Sequence, residues 1–253
     1  MPMGYMKMYR GRGRPRGSKN VKKTLATTKS TKTVAKIAKK VVLNLSETKM
    51  GNYALENQAL YHNDWSFPDT NATYTSQGTT DADNSQTENR VGNSIQPRKL
   101  WWRLQLFNKL DRPNLHYRVV VFRRNTDSSG GLTNVPTGEP EQVFFPGVMG
   151  NLMILPWNRE QCTPVYDKTF HVINPNYDSS GSIGSPGNKE ISKIVDVNID
   201  LKRFKQFTYN QGGGVPKNAV YQIGILAYDA YGTLTTDNVA SFAMLRRFYF
   251  KDV

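Results

Sequence analysis

The chain has 253 residues, of which 38% are hydrophobic, and a formal net charge of +14. It contains no run of about 18 apolar residues and only one cysteine, Cys162, so a membrane-spanning helix and an intramolecular disulfide are excluded. This length suits one all-β domain with a tail, and the lone cysteine favours a reducing compartment.

The positive charge is concentrated near the amino terminus. Residues 1–45 hold 13 Lys or Arg and no Asp or Glu, whereas residues 46–253 hold 21 basic and 20 acidic residues. A block of one sign repels itself and cannot collapse around a core, and such blocks commonly bind nucleic acid. We therefore predict a basic, largely disordered arm over residues 1–48 and a folded domain over residues 49–253. A merely solubilising tail is the alternative.

Arginine alternates with glycine or proline from Arg10 to Asn20. Glycine lacks a β-carbon and proline fixes φ, so the backbone can lie in a narrow groove while arginines reach phosphates. The stretch Arg12-Gly-Arg-Pro-Arg16 resembles an AT-hook, a minor-groove motif. A generic Arg/Gly segment that binds any phosphate backbone explains the pattern equally well.

The stretch from Thr31 to Lys49 places Val34, Ile37, Val41 and other apolar residues at helical spacing among lysines. Three interpretations remain open: a helix that offers lysines to nucleic acid, a membrane-surface helix, and a segment that is helical only when bound. Two Lys-Lys pairs, at 22–23 and 39–40, also match a nuclear import signal. The predicted nucleic-acid contacts of the arm are Arg10, Arg12, Arg14, Arg16, Lys19, Lys22, Lys23, Lys29, Lys32, Lys36, Lys39 and Lys40.

The remainder of the chain shows the period of two that is typical of strands. In the segment Ile191–Leu201, for example, Val195, Val197 and Ile199 alternate with polar residues. Eight segments rich in β-branched and aromatic residues are predicted strands. They are Tyr53–Tyr61, Arg98–Phe107, His116–Arg124, Val165–Ile173, Ile191–Leu201, Phe204–Tyr209, Ala219–Tyr228 and Val239–Phe250.

Long connections separate these strands. The segments Phe67–Asn89, Asn125–Glu141 and Asn174–Lys189 are crowded with turn-forming residues and are predicted loops, and one helical turn is expected within Val143–Glu160. No repeat and no alternating helical period is visible, which counts against propellers and parallel sheets. The predicted fold class is all-β, a sandwich of two antiparallel sheets; the jelly roll is its eight-stranded form, and the composition alone supports any β-sandwich about as well.

Five short motifs carry a resemblance to a known family. They occur in the same order as in the capsid proteins of circular Rep-encoding single-stranded DNA viruses, which include geminivirus and circovirus-like coat proteins. The entry into the second predicted strand, residues 90–103, has the Arg-x-Gly, Ile and basic pattern of that family, but the arm lacks the Cys/His cluster of many geminivirus proteins. The other four motifs are Tyr117–Arg123, Tyr166–His171, Phe204–Asn210 and Leu245–Asp252.

The resemblance implies a structural capsid protein rather than an enzyme, and it narrows the predicted fold to an eight-stranded single jelly roll of two antiparallel sheets. Such a protein self-assembles into a small icosahedral shell of about 60 copies and packages single-stranded DNA electrostatically through its arm. Its partners would be the genome, identical subunits, a host receptor and the nuclear import machinery, and its locations the virion and the host nucleus. Coat proteins of small satellite-like RNA viruses are close competitors.

Neighbouring residues in two predicted strands are expected to face opposite ways. Of Trp101 and Trp102, one should enter the core while the other contacts nucleic acid or a neighbouring subunit. Arg246 and Arg247 also alternate, and a structural salt bridge is as good an explanation for each as a DNA contact.

Catalytic and metal-binding patterns are weak. His62, His116 and His171 lie on separate predicted elements and are expected to be far apart, Cys162 has no nucleophile context, and Gly212–Gly214 lacks the Lys-Ser/Thr of a phosphate loop. Asp81, Asp83 and Glu88 do not have EF-hand spacing. We therefore predict no cofactor, metal or catalysis. An AT-hook chromatin protein with a β-sandwich module and a carbohydrate-active sandwich enzyme are the alternatives.

Overall fold

A computed structural model of the chain describes residues 31–38, 41, 46–80, 82–83, 86–125, 150–173, 191–203, 206–231 and 234–252. The chain divides into two units, residues 1–46 and residues 47–253. In the first unit, residues 31–38 are helical, which agrees with the spacing of Val34 and Ile37. None of the described helical segments is long and apolar enough to cross a membrane.

The second unit is built almost entirely of strands. One short 3-10 helix, η1 (Leu152–Ile154), accompanies them, and residues 82–83 are also helical. The position of η1 confirms the helical turn expected between Val143 and Glu160. The strands are β1 (Thr48–Tyr61), β2 (Asp64–Asp69), β3 (Ser94–Asn108), β4 (Asn114–Arg124), β5 (Cys162–Ile173), β6 (Ser192–Asp200), β7 (Phe207–Thr208), β8 (Tyr221–Tyr228) and β9 (Asn238–Asp252).

The strands form two antiparallel sheets with jelly-roll connectivity. Sheet A has the order β1-β9-β3-β6, with the short β7 paired to β3, and sheet B has the order β2-β8-β4-β5. The antiparallel pairs β1·β9, β2·β8, β3·β6 and β4·β5 are nested in sequence, like one long hairpin wrapped around a core. The predicted fold class is therefore confirmed, and two Greek keys packed face to face are the jelly-roll arrangement.

The core lies between the sheets because each strand sends alternate side chains inward. In β3, Leu100, Trp102 and Leu104 are fully buried, while Trp101 and Arg103 between them face outward. Sheet B contributes residues such as Tyr117 and Ile225 to the same core. The period of two seen in the sequence thus marks the inner faces of both sheets.

Strand β2 was not predicted, and the start of the expected loop Phe67–Asn89 was placed too early. Asp64–Asp69 is short and contains Pro68, which cannot donate a hydrogen bond to a neighbouring strand. The strand tolerates this residue because β2 is at the edge of sheet B and its pairing with β8 is irregular between Ser66 and Asp69. Within the predicted strand Phe204–Tyr209, residues 204 and 205 lie outside the described part, and of the rest only Phe207–Thr208 forms a strand, β7.

The two sheets differ in what covers their outer faces. On sheet B, Trp65, Val120, Phe122 and Leu226 form a second apolar cluster with Leu155 and Trp157, which belong to the β4–β5 connection. Arg118 holds this connection in place. Its guanidinium donates to the carbonyls of residues 152, 153 and 155 and forms a bidentate pair with Asp167, at 2.7 and 3.0 Å. Sheet B is therefore closed on the outside by its own chain.

Candidate nucleic-acid interface

The predicted contact residues of the arm fall mostly outside the described part of the chain. Lys32 and Lys36 are described, and both are exposed on the helical segment 31–38. That segment also exposes its apolar residues: Val34 is 62% and Ile37 is 59% accessible. Outside the described residues lie Arg10, Arg12, Arg14, Arg16, Lys19, Lys22, Lys23, Lys29, Lys39 and Lys40, together with the AT-hook-like stretch.

The folded domain carries a second group of cations, on the outer face of sheet A. Trp101 lies in a cross-strand row with Arg247 on β9 and Asn198 on β6. The guanidinium carbons of Arg103 and Arg247 are 5.2 and 5.6 Å from the centre of the Trp101 ring, which is the geometry of cation–π contacts. A partly exposed indole thus lies within cation–π distance of two arginines.

The two arginines differ in their other contacts. Arg103 forms a bidentate pair with Asp196, with N–O distances of 2.8 and 3.0 Å, and this hydrogen-bonded partner lowers the pKa of the Asp196 carboxyl. Arg247 has no carboxylate within ion-pair distance among the described residues, and its Nε is buried without a hydrogen-bond partner. The charge of the Arg247 guanidinium is therefore not neutralised by a carboxylate among the described residues, and a ligand anion would meet its Nη atoms rather than the buried Nε.

Lys99 and Tyr249 extend the outer face of sheet A along the strands. Tyr249 pairs with Lys99 one row from Trp101, and Lys99 pairs in turn with Asp200. On the other side of Trp101 there is a shallow depression of about 320 Å³, whose polar lining is Glu56, Arg103 and Gln105 and whose apolar lining includes Ile194 and Leu245. A surface that alternates cations with flat rings can hold phosphates and bases together.

The structure separates the pairs of neighbours as alternation predicts. Trp102 is fully buried and donates its indole N–H to Asp69 over 3.2 Å, so Trp101 alone remains a candidate contact. Arg246 is buried; its Nε lies 3.4 Å from Asp69 and its Nη1 donates to the carbonyl of Ala72. The structural explanation therefore holds for Arg246, and only Arg247 faces outward.

The expectation that the three histidines lie far apart was wrong. His116 on β4 pairs with His171 on β5 and with Tyr228 on β8. The rings of His116 and His171 are stacked, and the His62 ring centre is 4.9 Å from that of Tyr228. Cross-strand register joins residues that are distant in sequence, which single-strand patterns do not reveal. No group of three or more potential metal ligands occurs among the described residues.

The other candidate groups have structural surroundings. Cys162 is fully buried, and burial raises the pKa of its thiol to about 12, so the reactive thiolate is suppressed at neutral pH. The turn at Gly212–Gly214 is tied down by buried Arg90, which donates to the carbonyls of Asn210 and Gly213 and lies over the Tyr209 ring. Of the acidic loop residues, Asp83 accepts a hydrogen bond from the Thr79 hydroxyl and donates its backbone N–H to the Thr80 hydroxyl oxygen, and Asp81 lies outside the described part.

Comparisons with known proteins do not identify a family for this chain. No protein-family model matches the chain, and no curated protein matches it. Among solved structures, the unassembled pentamer of Merkel cell polyomavirus VP1 is similar to 82% of this chain and 97% of its own, with 10% identity. Its TM-score is 0.15, so the likeness carries no argument about fold or function.

Proposed function

We propose that the chain is the coat protein of a small virus, in which the jelly roll forms a closed shell and the basic arm binds the packaged nucleic acid. The observation that carries this proposal is the separation of charge from fold. Thirteen basic and no acidic residues lie within residues 1–45, whereas the jelly-roll part of the chain is nearly neutral.

The two parts have complementary physical properties. A neutral sandwich can bury its sides against identical copies without strong repulsion, and symmetric association of one interface type closes a shell. Arms gathered inside such a shell concentrate positive charge, and they bind phosphates with little regard to sequence because phosphate contacts carry no base information.

The finer form of the proposal follows the resemblance of residues 90–252 to the coat proteins of circular Rep-encoding DNA viruses. In this form the shell has about 60 subunits, the cargo is single-stranded DNA, and the protein acts in the virion and, during assembly, in the host nucleus. Identical subunits, the genome, a host receptor and the import machinery are its partners, and the chain has no catalytic role.

The experiment compares the full chain with a variant in which the twelve predicted arm contacts are changed to Gln. Electron microscopy and nuclease treatment of the purified proteins are the measurements. The wild type should form closed particles that protect nucleic acid, and the Gln variant should keep its fold while most nucleic acid is lost. A control that exchanges Lys for Arg and Arg for Lys at these positions keeps the charge and should retain the cargo.

Two results would overturn the proposal. One is a wild type that stays monomeric across a broad range of pH and salt, and the other is a Gln variant that retains its full nucleic-acid content. Digestion by deoxyribonuclease of the extracted cargo supports the single-stranded DNA form, whereas digestion by ribonuclease replaces it with the coat protein of a satellite-like RNA virus.

A further inference from the structure

We infer that the outer face of sheet A is a second nucleic-acid site, at which an unpaired base stacks on Trp101 while Arg247 binds a phosphate. The inference rests on the proposed function and deepens it, because it assigns a contact to the folded domain and a preference for single strands. The arm alone, which binds through charge, would not distinguish paired from unpaired bases.

The first argument is the difference between the two outer faces. On sheet B, apolar residues are covered by the β4–β5 connection, which Arg118 holds in place. On sheet A, within the part of the domain that the structure describes, Trp101, Leu245 and Tyr249 remain partly exposed and Ile194 is 58% accessible. A half-exposed tryptophan in the middle of a sheet leaves apolar surface in water that a ligand can cover.

The second argument is the chemistry around Trp101. Its ring offers a flat face, and Arg103 is fixed beside it by Asp196, so the position of this cation is set before any ligand arrives. Arg247, on the neighbouring strand, is within cation–π distance of the same ring and has no carboxylate partner among the described residues. A nucleotide supplies both complements, a base for the ring and a phosphate for Arg247.

Besides single-stranded nucleic acid, three ligands could cover the outer face of sheet A: the basic arm, duplex nucleic acid and a second copy of the chain. The basic arm is disfavoured because its thirteen positive charges would meet Arg247, which has no carboxylate partner among the described residues, whereas Arg103 is already neutralised by Asp196. Duplex nucleic acid satisfies the charges but not the ring, since its bases are already stacked on each other. A second copy of the chain is the remaining rival, because Trp and Arg are also frequent anchors of protein interfaces.

The test uses the full chain and two oligonucleotides of equal length, one of thymidines and one of abasic residues. Both present the same phosphates, so the ratio of their dissociation constants isolates the contribution of the bases. The wild type should prefer the thymidine strand, and Trp101→Ala should reduce that preference by about five-fold to 150-fold while leaving abasic binding intact. Trp101→Phe should retain part of it. Tyr231→Ala, which removes an aromatic residue that is 82% exposed in the β8–β9 connection, is the matched control and should change nothing.

The outcomes separate this inference from the proposed function. If Trp101→Ala keeps the full preference for thymidines while the wild type still assembles around nucleic acid, the inference is wrong and the proposed function stands. If Trp101→Ala abolishes particle formation and leaves the preference unchanged, the face is a contact between subunits. A wild type that binds neither strand contradicts both proposals, whereas a selective loss of the base preference supports both.

Discussion

His116 and His171 stack face to face across β4 and β5, with ring centres 4.1 Å apart and planes inclined by 5°. Burial and the neighbouring His171 both lower the pKa of His116. Burial also lowers the pKa of His62, although Asp229 and Asp237 oppose this effect, and the Nδ1 atom of His62 accepts a hydrogen bond from the backbone N–H of Asp229. The folded domain thus favours the neutral form of both imidazoles.

These histidines make the domain sensitive to acid. A histidine whose folded pKa is below its unfolded value stabilises the fold fully above the unfolded pKa, near 6.5, and loses that contribution as the pH falls toward the folded pKa. We expect the thermal midpoint of the full chain to fall as the pH is lowered from about 7.5 to 5. His116→Asn, which removes one titrating group, should flatten this dependence. An equally steep fall in the variant would contradict the assignment.

Arg118 and Asp167 form a half-buried pair, which should stabilise the domain more than an exposed pair of the same geometry. Arg118→Met removes a donor from three backbone carbonyls, while Asp167 keeps the indole N–H of Trp157, so we expect a loss of about 1 to 3 kcal/mol in the free energy of unfolding. Proteolysis should then cut first within residues 150–161. The matched control is Arg103→Met, which breaks the bidentate pair with Asp196 at the surface and should change the unfolding free energy little. Urea denaturation measures both variants, and equal losses would refute the prediction.

Substitutions at Arg246 and Asp69 test whether this buried ion pair stabilises the fold. Asp69→Asn removes the negative partner of Arg246, whose side chain is 6% exposed, and should cost about 3 to 5 kcal/mol. The double variant Asp69→Asn with Arg246→Met removes the uncompensated charge as well and should recover part of the loss. A double variant as unstable as the sum of the single variants would show that the two residues act independently.

Gly224 on β8 is predicted to tolerate no side chain. A β-carbon there would lie 2.7 Å from the Phe67 ring and 3.0 Å from Val120, both on the outer side of sheet B. Gly224→Ala should therefore destabilise the domain by about 1 to 3 kcal/mol through overpacking. Gly92→Ala is the control, because its nearest contact would be 4.0 Å away. Thermal denaturation of the two variants should separate them clearly, and similar midpoints would count against the described packing of Phe67.

The arm predicts a steep dependence of nucleic-acid binding on salt. Each phosphate that the arm neutralises releases counterions, so the logarithm of the binding constant should fall linearly with the logarithm of the salt concentration. Changing the twelve arm contacts to Gln should flatten this line markedly. Fluorescence titration between about 50 and 200 mM salt measures the slope. A slope that the substitutions leave unchanged would place the electrostatic contacts elsewhere in the chain.

The residue pattern was sufficient to predict the long strands and a β-sandwich, because alternation records which face of a strand is buried, whereas the choice of the jelly roll among sandwiches depended on the resemblance of residues 90–252 to a known family. It did not predict β2, since Pro68 and two aspartates conceal a strand that pairs on one side only. Nor did it predict the stacking of His116 on His171 or the cation–π contacts of Arg103 and Arg247 with Trp101. Both depend on which residue of one strand lies opposite which residue of another, and a single sequence does not encode that register as a local pattern.

The position of β9 within sheet A limits when its neighbouring strands can pair during synthesis. Strand β9 follows β1 and β3 in the chain but lies between them in sheet A, and Thr48 pairs with Lys251, so neither neighbour can complete its pairing before β9 is translated. Pairings between such distant segments close slowly. During synthesis the polycationic arm therefore becomes available to polyanions before sheet A is complete, and the loss of β9 would leave that sheet without its centre.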